Sequence, residues 1–197
     1  DGDHMMAICA DTLVQQNRLR GGGFVATVMS NIGLHKYCEA EGLRLLCAAV
    51  GDRNVLELMQ KEGMVLGGEQ SGHIIFLEHM TTGDGQLAAL QFLSIVMQAG
   101  KKVSELSDKI VSYPQILKNV RVNTNGEKTA IMESSALREA IAQAEQTLAG
   151  NGRVLIRPSG TEPLIRVMVE AGEEQTAETV TDALVKAVEN LQKSIGK

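Results

Sequence analysis

Tryptophan is absent, and phenylalanine and tyrosine make up only 3% of the 197 residues. So small an aromatic supply excludes the stacking platforms that hold single-stranded nucleic acid. There is no basic surplus either. Nineteen Lys and Arg stand against 24 Asp and Glu, a net charge of −5, which excludes a whole-surface electrostatic grip on nucleic acid. No apolar run reaches bilayer-spanning length and no secretory-leader pattern is visible, so no membrane partner is expected. Cysteine is scarce and odd in number: Cys9, Cys38 and Cys47. No two of them have zinc-ligand or redox spacing, and their apolar neighbours predict three buried thiols in a reducing cytoplasm. What is present is a 44% apolar, 22% charged chain. That excludes a disordered tail and suffices for one large or two small cores.

The pattern along the chain changes once. Asp1-Gly2-Asp3 precedes a helical apolar series of Met5, Met6, Cys9 and Leu13, with Asp3 expected as the cap. A chain that opens directly on a helix start is expected to be a piece of a longer protein. Strand and helix then alternate. Phe24 to Met29 is β-rich, Ile32 to Glu41 helical, and Leu43 to Val50 an apolar run suited to a strand covered on both faces. Asn54 to Glu62 is a helix with Val55, Leu56, Leu58 and Met59 inward and Gly63 as its stop. Short strands at Met64 to Leu66 and Ile74 to Glu78 flank a glycine-rich turn, and Gln86 to Gln98 is a long apolar helix. This order predicts an α/β domain with a mixed, mainly parallel sheet over residues 1–118, of which residues 1–20 form a helix leading in. After Tyr113-Pro114 come a strand at Leu117 to Asn123, an amphipathic helix at Ser134 to Leu148, two strands (Val154 to Arg157, Leu164 to Glu170) and a terminal helix from Glu174 to about Ser194. Hairpin-like spacing among them predicts a smaller α+β domain over residues 119–197. Residues 1–118 hold 10 basic against 13 acidic residues and the remainder 9 against 11, so neither half is basic.

Candidate chemistry lies in loops. Ser30-Asn31, Gly51-Asp52-Arg53 and Gly67 to His73 each follow a strand, and in a parallel sheet such loops share the edge where ligands bind. The third loop places Glu69, Ser71 and His73 within five residues, offering acceptors, a hydroxyl and a movable proton, a set suited to vicinal sugar hydroxyls. Glycines at the strand end are expected to admit a ligand close to the backbone. A plain polar hairpin fits these residues equally. Arg53 after Asp52 suits an anion, or else forms a surface ion pair of little weight. In the second domain, Arg157-Pro158-Ser159-Gly160-Thr161-Glu162-Pro163 is a turn rich in hydroxyls and backbone N–H groups. Arg157 starts it, and Arg166 on the next strand can face it. Two guanidiniums beside such a turn suit phosphate oxygens, and a plain turn has no need of arginines inside apolar strands. No Ser-His-Asp set, P-loop or metal-ligand spacing is present, and Asp1-Gly2-Asp3 is followed by no further oxygen ligands.

These loops are recognisable. Met29-Ser30-Asn31-Ile32-Gly33, Val50-Gly51-Asp52-Arg53, Gly68-Glu69-Gln70-Ser71-Gly72-His73, Thr81-Thr82-Gly83-Asp84-Gly85, Pro114 to Val120 and Arg157 to Glu170 run in order across nearly the whole chain. The sequence resembles the C-terminal half of the bacterial phosphoglucosamine mutases, in the α-D-phosphohexomutase superfamily. The resemblance implies the third and fourth of four domains. It implies that Glu69 and Ser71, with Asp52 and Arg53 beside them, bind sugar hydroxyls, that His73 is an acid/base helper, and that Arg157, Ser159, Gly160, Thr161 and Arg166 bind the non-transferring phosphate. It implies a cytoplasmic enzyme of amino-sugar metabolism, feeding cell-wall precursor synthesis. That enzyme would interconvert glucosamine 6-phosphate and glucosamine 1-phosphate through a phosphoserine and glucosamine 1,6-bisphosphate, with Mg2+. The serine loop and the D-G-D-x-D-R magnesium loop of such enzymes have no counterpart here, so no metal ligand is expected in this chain, which should be inactive alone. The full-length enzyme is expected as a homodimer and the fragment as a monomer. Asn54 departs from the resemblance, where many relatives carry an aromatic residue. The competing readings are a phosphoglucomutase or phosphomannomutase of the same superfamily, and a non-catalytic phosphosugar-binding module.

Overall fold

A computed structural model describes residues 1–195 and divides into two compact units, Asp1–Ser112 and Tyr113–Lys197. The division falls earlier than the expected 118/119, which would cut a strand in two.

In the first unit, helix α1 (Gly2–Gln15) is capped by Asp1, whose carboxylate accepts from the backbone N–H groups of Asp3 and His4. The cap is therefore Asp1, not Asp3, and the helix ends well before residue 20. Nor is it a mere lead-in, because Met6, Ala7, Ile8, Cys9, Ala10 and Leu13 all enter the main core. Then follow β1 (Gly23–Thr27), α2 (Ile32–Ala40), β2 (Arg44–Ala48), α3 (Asp52–Glu62), β3 (Leu66–Gly68), β4 (Ile74–Phe76), α4 (Gly85–Ala99) and α5 (Val103–Ser107). The sheet order is β2-β1-β3-β4. β1 pairs parallel with β2 and with β3, while β4 returns antiparallel. The sheet is thus mixed and mainly parallel, as expected. β1 is buried throughout, packed by Phe24 and Ala26 into the α1/α2 core and by Val25 into a smaller core under α3 with Val55 and Met59. The buried Phe, Val and Met side chains each contribute roughly 1.5–3 kcal/mol.

Two further readings of the first unit change, and a third element, formed as expected, is left exposed. β2 is an edge strand with only Ala48 buried; its apolar run suits a covered strand, but strand order is not written in a local pattern. Cys47 accordingly is exposed, while Cys9 and Cys38 are buried. α4, apolar almost all round, buries only Ala88 and Ile95 and leaves Leu90, Leu93 and Met97 in solvent.

The second unit is a three-stranded antiparallel sheet, β5-β7-β6, with β5 Gln115–Arg121, β6 Gly152–Pro158 and β7 Leu164–Ala171. Helices α6 (Asn125–Glu133), α7 (Ser135–Leu148) and α8 (Glu174–Ile195) complete it. Strand alternation sorts the sheet cleanly. Ile116, Val120, Val154, Ile156, Ile165, Val167, Val169 and Ala171 share one core with the helices. The alternate positions, Asn119, Arg157 and Arg166 among them, lie on the opposite face, away from that core. Helix α6 escapes the sequence pattern because it is short and buries little beyond Ile131 and Glu127.

Candidate functional site

Parallel strands put the ends of β1, β2 and β3 on one edge. From β1 the chain crosses to β2 on one side and then to β3 on the other, so the three following loops gather where the sheet reverses direction, the usual ligand crevice. A cavity of about 580 Å³ lies there, lined by Asp1, Thr27, Met29, Val50, Glu69, Gln70 and Ser71. All three loops expected to form an edge site thus meet in the first unit.

The loops are tied to one another by specific bonds. The Glu69 carboxylate accepts from the backbone N–H of Gly51 at 3.0 Å, joining the loop after β3 to the loop after β2. The first turn of α1 supports both neighbours: Gly2 N–H donates to Gln70 C=O at 2.9 Å, and the buried Asp3 carboxylate accepts from Asn31 N–H at 2.7 Å. Asn31 in turn caps α2, its side chain accepting from Gly33 N–H. Asp1-Gly2-Asp3 is therefore a scaffold for these loops as well as a helix start. Asn54 donates to Val50 C=O at 2.9 Å, closing the loop after β2 on itself.

His73 stands 3.6 Å from the Asp52 carboxylate through Nε2, which the surrounding protein shields from solvent. Its ring lies against Gly83, where a Cβ would come within 2.2 Å of Nε2. That contact explains the glycine in Thr81-Thr82-Gly83-Asp84-Gly85, and Asp84 then caps α4 through Gln86 and Leu87 N–H. Arg53 points elsewhere: it is 87% exposed and pairs along α3 with Glu57 at 2.9 Å. Gly67 and Gly68 also differ from expectation. A Cβ on Gly67 would meet the Met59 sulfur at 2.5 Å, and one on Gly68 the His73 carbonyl at 2.6 Å. These glycines admit protein atoms rather than a ligand.

In the second unit Arg157 and Arg166 are direct cross-strand partners on β6 and β7. Their side chains therefore emerge side by side on the sheet face away from the helices. Burial first, and the Arg166 charge second, hold the Arg157 guanidinium below its ordinary value. The nearest compensation is the Glu162 carboxylate, 3.9 Å from Arg166. Between the two arginines runs the turn. Ser159 is buried; its N–H donates to Leu164 C=O and its hydroxyl oxygen accepts from Glu162 N–H. Among the described residues, the N–H groups of Gly160 and Thr161 meet no protein acceptor. Two like charges and two spare N–H groups at one exposed turn can neutralise and bind an anion.

Sequence reasoning missed Lys128 on α6. Its ammonium donates to the Ser159 carbonyl at 2.7 Å and the Glu162 carbonyl at 3.3 Å. No local signal could have found it, since it lies 31 residues from Ser159. Among the described residues no group of three or more His, Cys, Asp or Glu is arranged to hold a metal ion. Nor is any helix among them long and apolar enough to cross a membrane.

Comparison with known proteins covers both units. Residues 1–113 match the family described as phosphoglucomutase/phosphomannomutase, alpha/beta/alpha domain III, and residues 117–187 match the phosphoglucomutase/phosphomannomutase C-terminal domain. The chain is 50% identical over 188 residues to the phosphoglucosamine mutase of Rhizobium meliloti, a match that covers 95% of this chain and 41% of that protein. It is 52% identical, also over 188 residues, to the phosphoglucosamine mutase of Novosphingobium aromaticivorans, with the same coverage. The chain thus spans about 41% of the length of these relatives. Among solved structures, N-acetylphosphoglucosamine mutase of Aspergillus fumigatus superposes with a TM-score of 0.79 at 20% identity, covering 98% of this chain and 44% of that one. A putative phosphomannomutase from Thermus thermophilus superposes at 0.65 with 19% identity, over 96% of this chain and 41% of that one. These likenesses show the fold.

Proposed function

The chain belongs to the phosphoglucomutase/phosphomannomutase family, whose third and C-terminal domains it carries, and from this premise we propose that it is the substrate-gripping part of a phosphoglucosamine mutase. The whole protein would interconvert glucosamine 6-phosphate and glucosamine 1-phosphate in the cytoplasm, and the names of relatives at about 50% identity support that choice of sugar. In this reading the first unit supplies hydroxyl recognition through Glu69 and Ser71, with His73 beside Asp52 placed to hold or move a proton. Asp52 serves the site through that contact, and Arg53 borders it. The second unit holds the phosphate that is not being transferred, on Arg157, Arg166, Ser159 and the N–H groups of Gly160 and Thr161. Phosphoryl transfer depends mainly on positioning and charge stabilisation, and positioning is what these residues can give. The serine nucleophile and magnesium belong to the remainder of the protein, and a bisphosphate sugar that turns over would present either end to the same clamp. The pure chain is then expected to interconvert neither isomer; turnover abolished by a chelator would overturn that expectation.

One observation carries the reading: two arginines placed side by side by strand register at a turn with unspent N–H donors. Its test is equilibrium binding of glucosamine 6-phosphate and glucosamine 1-phosphate to the chain. A charge-assisted contact of this kind is worth roughly 1.5–3 kcal/mol, so Arg157→Ala should weaken both isomers about ten- to hundredfold. Arg157→Lys should recover only part, because an ammonium lacks the bidentate fork. Unchanged affinities with a lowered melting temperature would make the arginines structural.

A further inference from the structure

We infer that Lys128 is a positioning residue for the phosphate clamp: from the helix side of the sheet it fixes the Ser159–Gly160 peptide so that the Gly160 N–H faces the arginine side. The inference rests on the reading of the Ser159-Gly160-Thr161 turn as a phosphate site.

Lys128 sits on α6, and its ammonium donates to the carbonyls of Ser159 and Glu162, at 2.7 and 3.3 Å. Both acceptors belong to the turn between β6 and β7. A trans peptide is planar, with its C=O and N–H pointing in opposite directions. Holding the Ser159 carbonyl toward Lys128 therefore aims the Gly160 N–H away from α6. The helices all pack on the sheet face that carries Ile156, Ile165 and Val167. Arg157 and Arg166 occupy the alternate positions of the same strands and so emerge on the other face. The direction away from Lys128 is thus the direction of the arginines. The second carbonyl held, that of Glu162, shares its peptide with Pro163, which has no N–H. Gly160 and Thr161 are the turn's remaining backbone donors, because Ser159 N–H is spent on Leu164 and Glu162 N–H on the Ser159 hydroxyl.

The anchor itself is well held. Thr124 caps α6 by accepting from Glu127 N–H, and the buried Glu127 carboxylate reaches back to Asn123 N–H and to the Asn123 side chain. Val122 N–H donates to Pro163 C=O, so the start of α6 and the end of the turn are joined a second time. A cavity of about 380 Å³ between α6 and the turn, lined by Lys128, Thr129, Met132, Pro158, Ser159 and Gly160 among others, leaves the turn space to fall back once the ammonium is removed. Glycine at 160 meets no atom that would hold it from the side, so the peptide can rotate unless its carbonyl is tied.

The test is an amide-resolved titration of the chain with inorganic phosphate and with glucosamine 6-phosphate, on wild type, Lys128→Met and Lys128→Arg. Methionine keeps the apolar stem and removes the donors; arginine restores donors and charge. Wild type should show the Gly160 and Thr161 amide protons shifting downfield on binding. Lys128→Met should weaken phosphate about tenfold and abolish the Gly160 shift, with amide positions away from residues 157–166 and from α6 itself unchanged. Lys128→Arg should restore the Gly160 shift and most of the affinity. If wild-type Gly160 and Thr161 ignore both ligands, the phosphate reading of the turn fails. If they respond and Lys128→Met responds equally, that reading stands and the role of Lys128 is overturned. Lost affinity with the Gly160 shift retained would likewise overturn it, since charge alone would then be the cause.

Discussion

The two units build their sites by opposite means. In the first, loops at the end of parallel strands are tied to each other before any ligand arrives: Glu69 to Gly51, Asp3 to Asn31, Gly2 to Gln70. Its carboxylates are spent largely on backbone N–H groups, and what faces the crevice is a nearly complete network. In the second, strand register sets two guanidiniums side by side with, among the described residues, only a 3.9 Å contact to Glu162 against them. That site is electrostatically incomplete until an anion enters. A tied crevice suits a many-hydroxyl sugar ring, which offers weak contacts and needs a fixed partner. An incomplete pair of charges suits a phosphate, which completes it.

The second unit contains its own control. Four residues along β6 from Arg157, Arg153 meets Glu170 in a bidentate pair at 2.6 and 3.2 Å, with Glu170 fully buried. There the charge is answered by the protein. Arg153→Ala strands the Glu170 carboxylate in the interior and should cost about 3–5 kcal/mol of unit stability. Arg157→Ala removes a charge that the protein leaves poorly matched and should cost far less. Denaturant unfolding of the two variants checks this, and equal losses would erase the distinction between a structural and a ligand-facing arginine on one strand.

The sequence made much of this legible, and physics says why the rest was hidden. Helix stops are local, so Gly63 could be read directly, and the cap expected at Asp3 lay only two residues away, at Asp1. The arginines flanking the Ser-Gly-Thr turn stood out because charge inside apolar strands needs a reason. Strand order is a long-range property, so Leu43 to Val50 looked central and proved to be an edge, with Cys47 in solvent. Gly67 and Gly68 looked like room for a ligand and proved to be room for Met59 and the His73 backbone. Arg53 suited an anion or a surface ion pair, and it forms the ion pair, with Glu57 on its own helix. For the strand and the glycines the residue type was informative and what it packs against lay elsewhere in the chain.

Alkali should separate the units. Burial pushes the thiols of Cys9 and Cys38 up to about 12, and Tyr37 is raised too, by burial and then by its bond to Asp11. The second unit contains no cysteine. A thiol in the unfolded chain ionises near pH 8.5, so above that pH the unfolded state holds fewer protons than the folded one. The stabilising contribution is complete below about pH 8.5 and falls by roughly 1.4 kcal/mol per pH unit per thiol until the folded thiols ionise. Amide exchange measured from pH 8 to pH 10.5 should therefore show the first unit opening first, and Cys38→Ala should flatten its slope. Simultaneous opening, or the second unit leading, would mean the thiols are not the weak point.

The smallest effect tests the tied crevice itself. Glu69 accepts from Gly51 N–H at 3.0 Å. A hydrogen bond to a charged acceptor is worth about 1.5–3 kcal/mol and a neutral one about 0.5–1.5. Glu69→Gln retains an acceptor oxygen in the same place and should cost only about 1 kcal/mol of the first unit's stability. If Glu69 also recognises sugar, the same change should weaken glucosamine 6-phosphate several-fold while leaving inorganic phosphate untouched, because phosphate binds the other unit. Glu69→Ala should cost more stability, since the Gly51 N–H is then left without its partner in a half-buried loop, and its sugar affinity should fall further. Paired calorimetric titrations of the two ligands resolve these outcomes. Equal loss of sugar phosphate and inorganic phosphate on Glu69→Gln would show that one substitution reaches both units, and the division of labour between a sugar crevice and a phosphate clamp would fail.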